Sequence, residues 1–276
     1  MNKLIVLLLL FATVVLAKES TSYKLEFQTL DFSNSTQKEQ GIRYGLGITH
    51  KADKHRFMFA YEKTATETFQ PPLPKDLEVN KYAFKYLYNL QENLSLQTSY
   101  ITIDDNLVKT DGGHVYGVGV TYKNIHFAQF FTNYKPFAIY QTDVSASFKQ
   151  SFGALKTKTT LLTKYLRLKD YKDNPLSKNA RKFYFTQGVK LHASYKSYNA
   201  GFGAFFGKRV FSIMDDGMKV QHHGMEFEET YMAGFGKKIN GFHIMLKYAH
   251  AKATELPKVN ENVIVRNTTL SIQRKF

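Results

Sequence analysis

The stretch Tyr82-Ala83-Phe84-Lys85-Tyr86-Leu87-Tyr88-Asn89-Leu90 alternates between two kinds of side chain. Successive residues of an extended strand point to opposite faces, so Tyr82, Phe84, Tyr86, Tyr88 and Leu90 share one side. Ala83, Lys85, Leu87 and Asn89 share the other. Helical spacing would scatter the five large residues around a cylinder instead of lining them up. The same period recurs in both directions along the chain. Tyr23, Leu25 and Phe27 alternate with Lys24, Glu26 and Gln28, and Ile42, Tyr44, Leu46 and Ile48 with Gly41, Arg43, Gly45 and Gly47. Phe57, Phe59 and Tyr61 alternate with Arg56, Met58, Ala60 and Glu62. Later, Phe183, Phe185, Val189 and Leu191 oppose Tyr184, Thr186, Gly188, Lys190 and His192, and Phe242, Ile244, Leu246 and Tyr248 oppose His243, Met245, Lys247 and Ala249. This part of the chain reads as all-β.

Composition narrows the class. The 276 residues are 43% hydrophobic and 22% charged, with 23 Phe and 18 Tyr but no Cys and no Trp. A mean hydropathy of −0.35 excludes a bundle of membrane helices, each of which needs roughly 20 largely apolar residues. The missing cysteines exclude thiolate metal sites, thiol nucleophiles and disulfides. An excess of 38 Lys and Arg over 23 Asp and Glu raises nucleic acid, anionic lipid and acidic solutes as partners.

One long apolar run exists, Leu4 to Ala17, preceded by Lys3 and followed by Lys18-Glu19-Ser20. It is short for a membrane span and has the charged start, apolar middle and small final residue of a secretory signal peptide. The expected division is 1–17 as signal peptide and 18–276 as one β domain. Export argues against nucleic acid as the partner of the basic charge.

Thirteen connections are read between the alternating stretches. They are Asp31 to Glu39, Lys51 to Lys54, Ala65 to Val79, Gln91 to Asn93, Asp104 to Gly112, Lys123-Asn124 and Asn133 to Pro136. Then follow Lys149 to Ser151, Asp170 to Arg181, Lys196-Ser197, Ser212 to Glu226, Lys238 to Gly241 and Thr254 to Glu261. Long and short alternate, apart from Asn133 to Pro136. Thirteen connections join fourteen strands, and twelve is the second choice. Long loops at one end and tight turns at the other describe a transmembrane up-and-down antiparallel β-barrel. A sandwich would show less regular loop lengths, and an eight-stranded soluble barrel would need less chain.

The last residues are Thr268-Thr269-Leu270-Ser271-Ile272-Gln273-Arg274-Lys275-Phe276. Leu270, Ile272 and the terminal Phe276 share a face. This resembles the C-terminal strand of Gram-negative outer-membrane β-barrel proteins of the porin-like kind. The resemblance implies insertion in the outer membrane, contact with its lipids, and Leu270, Ile272 and Phe276 as a signal read by the barrel-assembly machinery. Arg274 stands where such strands carry Tyr or another apolar residue, although a long basic side chain at a membrane rim can snorkel.

In such a barrel the apolar set faces lipid and the polar set faces the lumen. That assigns Arg43, Arg56, Glu62, Lys85, Lys156, Lys158, Lys164, Lys190 and Lys247 to the pore lining, with Glu26 and Asp143 as further inward acids. The phase is ambiguous at Ile125 to Tyr134 and Leu155 to Arg167, where Phe127 and Phe131 compete with Phe130 and Tyr134. Basic rings favour anions, and fourteen strands exceed the width at which side chains alone fill a barrel. The expected function is a channel for passive diffusion of small hydrophilic, anionic solutes. The alternative is a closed-lumen barrel acting as a lipid-modifying enzyme or a surface adhesin.

Loop chemistry adds little to this. Lys169, Lys172, Lys178, Arg181 and Lys182 could meet phosphorylated surface glycolipid or simply be solvated. His222 and His223, near Asp215, Asp216, Glu226, Glu228 and Glu229, lack the spacing of known metal sites and read as a solvated acidic loop. No G-x-S-x-G and no phosphate-cradling loop occurs, so no catalytic residue, metal or cofactor is assigned.

Overall fold

A computed structural model describes residues 19–69, 76–107, 110–172, 177–222, 224–256 and 259–276. The strands of the first half are β1 (Glu19–Ser33), β2 (Lys38–Ala52), β3 (His55–Thr68), β4 (Asp76–Gln91), β5 (Leu94–Asp105), β6 (His114–Tyr122) and β7 (Ile125–Tyr134). Next come β8 (Phe137–Phe152), β9 (Leu155–Lys169), β10 (Phe183–Tyr195), β11 (Tyr198–Arg209), β12 (Ile213–Met214) and β13 (Lys219–Val220). The series ends with β14 (Met225–Ile239), β15 (Phe242–Glu255) and β16 (Asn260–Lys275). Fourteen of these close into one antiparallel barrel, and β12 and β13 form a separate hairpin. Each barrel strand pairs with its neighbour in the chain, β11 pairs with β14, and β1 pairs with β16. Closure leaves no free sheet edge.

Two-residue connections at 53–54, 92–93, 123–124, 153–154, 196–197 and 240–241 lie at one end. Asp53, Lys123, Gly153, Lys196, Asn240 and Gly241 have positive φ there, as tight hairpins with right-handed twist require. All other connections lie at the opposite end. Several strands run further than their polar residues suggested. Lys149 to Ser151 belongs to β8, whose turn comes at 153–154, and Asn133 and Tyr134 belong to β7. A two-residue turn needs only its φ pair, so polar lumen-facing residues are free to continue the ladder. Residues 1–17 and the middle of the connection read at Ala65 to Val79 lie outside the described residues.

The large side chains on the outer face are exposed, among them Tyr23, Leu25, Phe84, Tyr116, Phe185, Phe235 and Leu246. Register settles the two ambiguous stretches. Gln129 pairs with outward Val118 and Phe130 with inward Gly117, so Phe127 and Phe131 face out while Phe130 and Tyr134 face in. Lys164 pairs with Asp143, and Lys158 with Lys149, on the inward side of β8 and β9.

The lumen is not empty throughout. Near the end with the longer connections, Ile101, Ile103, Val115, Phe130, Tyr134, Leu166 and Leu168 form a buried apolar cluster with Val210, Phe211, Ile213 and Val220. The last four belong to the connection between β11 and β14. That connection turns into the barrel and carries the β12–β13 hairpin with it. The reading of Ser212 to Glu226 as a solvated loop is thereby corrected: Ile213 and Val220 within it are buried by entering the lumen.

At the closing seam, the backbone N–H of Phe276 donates to the carbonyl of Thr21 at 2.8 Å. The Phe276 ring meets Tyr23 edge-on, with centroids 5.8 Å apart. Arg274 places its guanidinium 4.9 Å from the Phe242 ring centroid and 4.7 Å from that of Phe276. A cation over two aromatic faces accounts for Arg at an otherwise apolar outer position.

Candidate functional site: the lumen and its inward hairpin

The hairpin starts from a fault in the ladder. Register shifts between Phe206 and Arg209 of β11, and again between Phe227 and Glu229 of β14. Gly207 carries the first shift with φ +91°, and a Cβ there would lie 2.4 Å from the Phe185 carbonyl oxygen. Only glycine fits both demands. The two bulges set Arg209 opposite Phe227 and send the chain inward.

Asp215, Asp216 and Gly217 all have positive φ and make the tip between β12 and β13. Three groups on the wall hold Asp216. Lys85 forms an ion pair with its carboxylate and donates to its backbone carbonyl at 3.0 Å. Gln97 donates to the carboxylate at 2.8 Å, and His126 lies 2.8 Å from it. Burial alone would raise the Asp216 pKa, but His126 and Lys85 outweigh it and hold the carboxyl well below the usual range.

The base of the hairpin is tied to the adjoining strands β8 and β9. The Ile213 N–H donates to Gln141 Oε1 at 2.8 Å, and its carbonyl accepts from Gln141 at 2.9 Å and Lys164 at 2.8 Å. Lys164 also forms an ion pair with Asp143. Beyond the hairpin, His222 Nε2 lies 2.5 Å from Asp105 Oδ2 while Tyr134 Oη lies 3.0 Å from Nδ1. A neutral ring protonated on Nε2 satisfies both, donating to Asp105 and accepting from Tyr134. Burial pushes the His222 pKa down against the raising effect of Asp105. The side chains of His222 and Asp105 are wholly enclosed, so this set works as a latch and not as an accessible base.

Three cavities of about 220, 350 and 610 Å³ surround the hairpin, and Asp215 borders all of them. All nine residues assigned to the pore lining stand on the inward face, in two groups. Arg43 pairs with Glu62 at 3.1 Å, Lys85 with Asp216, Lys164 with Asp143, and Lys190 with Asp215 at 3.8 Å. Arg56, Lys156, Lys158 and Lys247 form no ion pair among the described residues. Lys149 faces Lys158 directly across the ladder, and Lys158 faces His192. Of the strand histidines, His192 faces inward and His114 stacks outward on Tyr100.

Sequence reading missed Lys81, Asp105, Arg209 and Lys219, left the face of Tyr134 open, and set Asp216 and His222 aside as part of a solvated acidic loop. Lys81 lies in the same alternation as Ala83 and Lys85 and was recoverable. It donates to Glu62 at 2.9 Å. Lys219 reaches Glu26 at 3.3 Å from the hairpin, a contact without any local signal.

No family model matches the sequence, and no curated protein does. Solved structures that match over nearly the whole chain include the following three. A bacterial polysaccharide outer membrane secretin superposes with a TM-score of 0.56 at 12% identity, covering 93% of this chain and 98% of that one. The deltaS2S3 mutant of the TodX monoaromatic hydrocarbon channel gives 0.55 at 9% identity, covering 96% and 92%. The outer membrane protein Omp33 of Acinetobacter baumannii gives 0.51 at 7%, covering 93% and 99%. At such identities the likeness is one of architecture. The chain has the fold of outer-membrane β-barrel proteins.

Proposed function

We propose that the protein is an outer-membrane channel for passive diffusion of small hydrophilic solutes, with a preference for anions. The observation that carries this is the inward patch on β8, β9 and β10. Lys149 faces Lys158, Lys156 lies two residues away on β9, and His192 completes the row, and none of the four forms an ion pair among the described residues. Like charges directly opposite each other oppose pairing. In a water-filled passage the same patch attracts anions and raises their local concentration. The hairpin narrows the route, and at Asp215 a solute would pass Lys190 and Lys219, 3.8 and 3.9 Å from its carboxylate. This favours a selective narrow channel over a wide pore.

Export through residues 1–17, assembly through Leu270, Ile272 and Phe276, and contact of Lys169, Lys172, Lys178, Arg181 and Lys182 with phosphorylated glycolipid belong to the same proposal. Liposome swelling tests it. Proteoliposomes should swell faster in small carboxylate salts than in neutral sugars of similar size, while equal, protein-independent rates would reject it. One observation favours the closed-lumen reading, a lipid-modifying enzyme or adhesin: the apolar cluster around Val210, Phe211, Ile213 and Val220 fills part of the lumen. That reading expects no swelling with any solute.

A further inference from the structure

Arg209 is 1% exposed and has no carboxylate partner among the described residues. Its Nη2 donates to Thr230 at 2.5 Å and its Nε to Gln221 at 3.1 Å. The guanidinium lies 5.3 Å from the Phe205 ring centroid and 5.4 Å from that of Phe227. Nη1 is buried and has no acceptor among the described residues. Arginine does not shed its charge, and a buried charge without a counter-charge is strongly unfavourable. Two aromatic faces and two neutral acceptors compensate only in part.

Arg209 borders the cavity of about 350 Å³ between the hairpin and the wall formed by β1 to β4 and β14 to β16. The other walls are mixed. Phe32, Val79, Val220, Met225, Phe227 and Met232 supply apolar surface. The acids that line it are already engaged: Glu26 with Lys24 and Lys219, Glu62 with Arg43 and Lys81, and Asp215 with Lys190 and Lys219. Lys38 and Lys247 add positive charge and form no ion pair among the described residues. The cavity therefore joins an excess of cation, the forked donor Arg209 among it, to an apolar surround.

We infer that this cavity binds a small carboxylate with an apolar body, its carboxylate on Arg209 and its body against Met225, Phe227 and Met232. A planar carboxylate suits the guanidinium fork, and an unsubstituted inorganic anion would leave the apolar walls unused. The inference rests on the channel reading for its biological sense, since it assigns the class of solute that pauses in the lumen.

Calorimetric titration of the purified full-length protein in detergent tests it, with benzoate, phenyl phosphate and benzyl alcohol as probes. Benzoate should bind, benzyl alcohol should not, and phenyl phosphate should bind more weakly than benzoate. Arg209→Gln should weaken benzoate binding roughly thirtyfold or more, as loss of one partner of a buried charge pair does. Arg209→Lys keeps the charge without the fork and should weaken it less. Should Arg209→Gln fail to give a heat-modifiable barrel, Arg209→Lys decides. No benzoate binding, equal binding of benzyl alcohol, a preference for phenyl phosphate, or unchanged benzoate binding in a folded variant each overturns the site. Conductance of the same preparation in potassium chloride separates the two ideas. Anion-selective current without benzoate binding rejects the site alone, and benzoate binding without current rejects the channel alone.

Discussion

Lys85 on the barrel wall forms an ion pair with Asp216 at the tip of the inward hairpin, across 131 residues of sequence. The lysine is buried and the aspartate half-exposed, so the contact fixes the hairpin to β4 inside the barrel. Its position places the hairpin inside the lumen and not on the surface.

Breaking that contact should loosen the constriction. Asp216→Asn leaves Lys85 buried without its counter-charge, which costs about 1–3 kcal/mol of hairpin docking. Single-channel recordings should show a larger or noisier conductance than the parent protein, with the barrel still folded by heat-modifiability. An unchanged current trace would mean that the hairpin does not limit flow.

The His222 latch gives the docking a pH dependence. Burial, with Lys81 and Lys38 adding to it, lowers the docked-state pKa although Asp105 opposes this. A released His222 would titrate near the ordinary value of about 6.5. The stabilisation is therefore complete above about pH 6.5 and is lost as the pH falls through the lowered value. Asp216, held below the usual carboxylate range, fails only in stronger acid. Conductance fluctuations should increase below about pH 6.5, and His222→Asn should remove that dependence.

Gly207 sets where the hairpin begins. Gly207→Ala forces a Cβ into a position at φ +91° and 2.4 Å from the Phe185 carbonyl oxygen. A strain of about 1–3 kcal/mol follows. Thermal unfolding of the purified protein should shift down, and Arg209 should lose its place opposite Phe227. A variant as stable as the parent would show that the bulge is not required.

The faces of the barrel were legible in the sequence because period two is a local property. Tyr82 to Leu90 announces its own orientation, and the inward placement of Lys85, Lys156 and Lys247 follows from counting. Ile125 to Tyr134 stayed ambiguous because aromatic residues occur on both of its faces: Phe130 and Tyr134 pack on the hairpin's apolar residues, and a lumen filled by another segment breaks the polar-inside rule. The hairpin itself was illegible. Asp216 meets Lys85, and His222 meets Asp105, only because two bulges redirect the chain, and bulges have no periodic signature. The apolar Phe211, Ile213 and Val220 inside a stretch rich in Asp and Gly were the available hint.

Arg274 should stabilise the seam by stacking on Phe242 and Phe276. Two such contacts together contribute about 1–2 kcal/mol. Arg274→Ala should lower the thermal midpoint in detergent, whereas Arg274→Tyr, which restores an aromatic contact, should lower it less. Equal losses in both variants would contradict the stacking role.

We propose that the excess of inward cations without ion pairs makes the lumen a passage for anions. The most direct test is the reversal potential of the purified protein in planar bilayers under a potassium chloride gradient. Discrete current steps should appear with a reversal potential on the chloride side of zero, and Lys158→Glu, which sets an acid opposite Lys149, should move it towards potassium. A silent bilayer containing folded protein, or a parent channel that already prefers potassium, would contradict the claim.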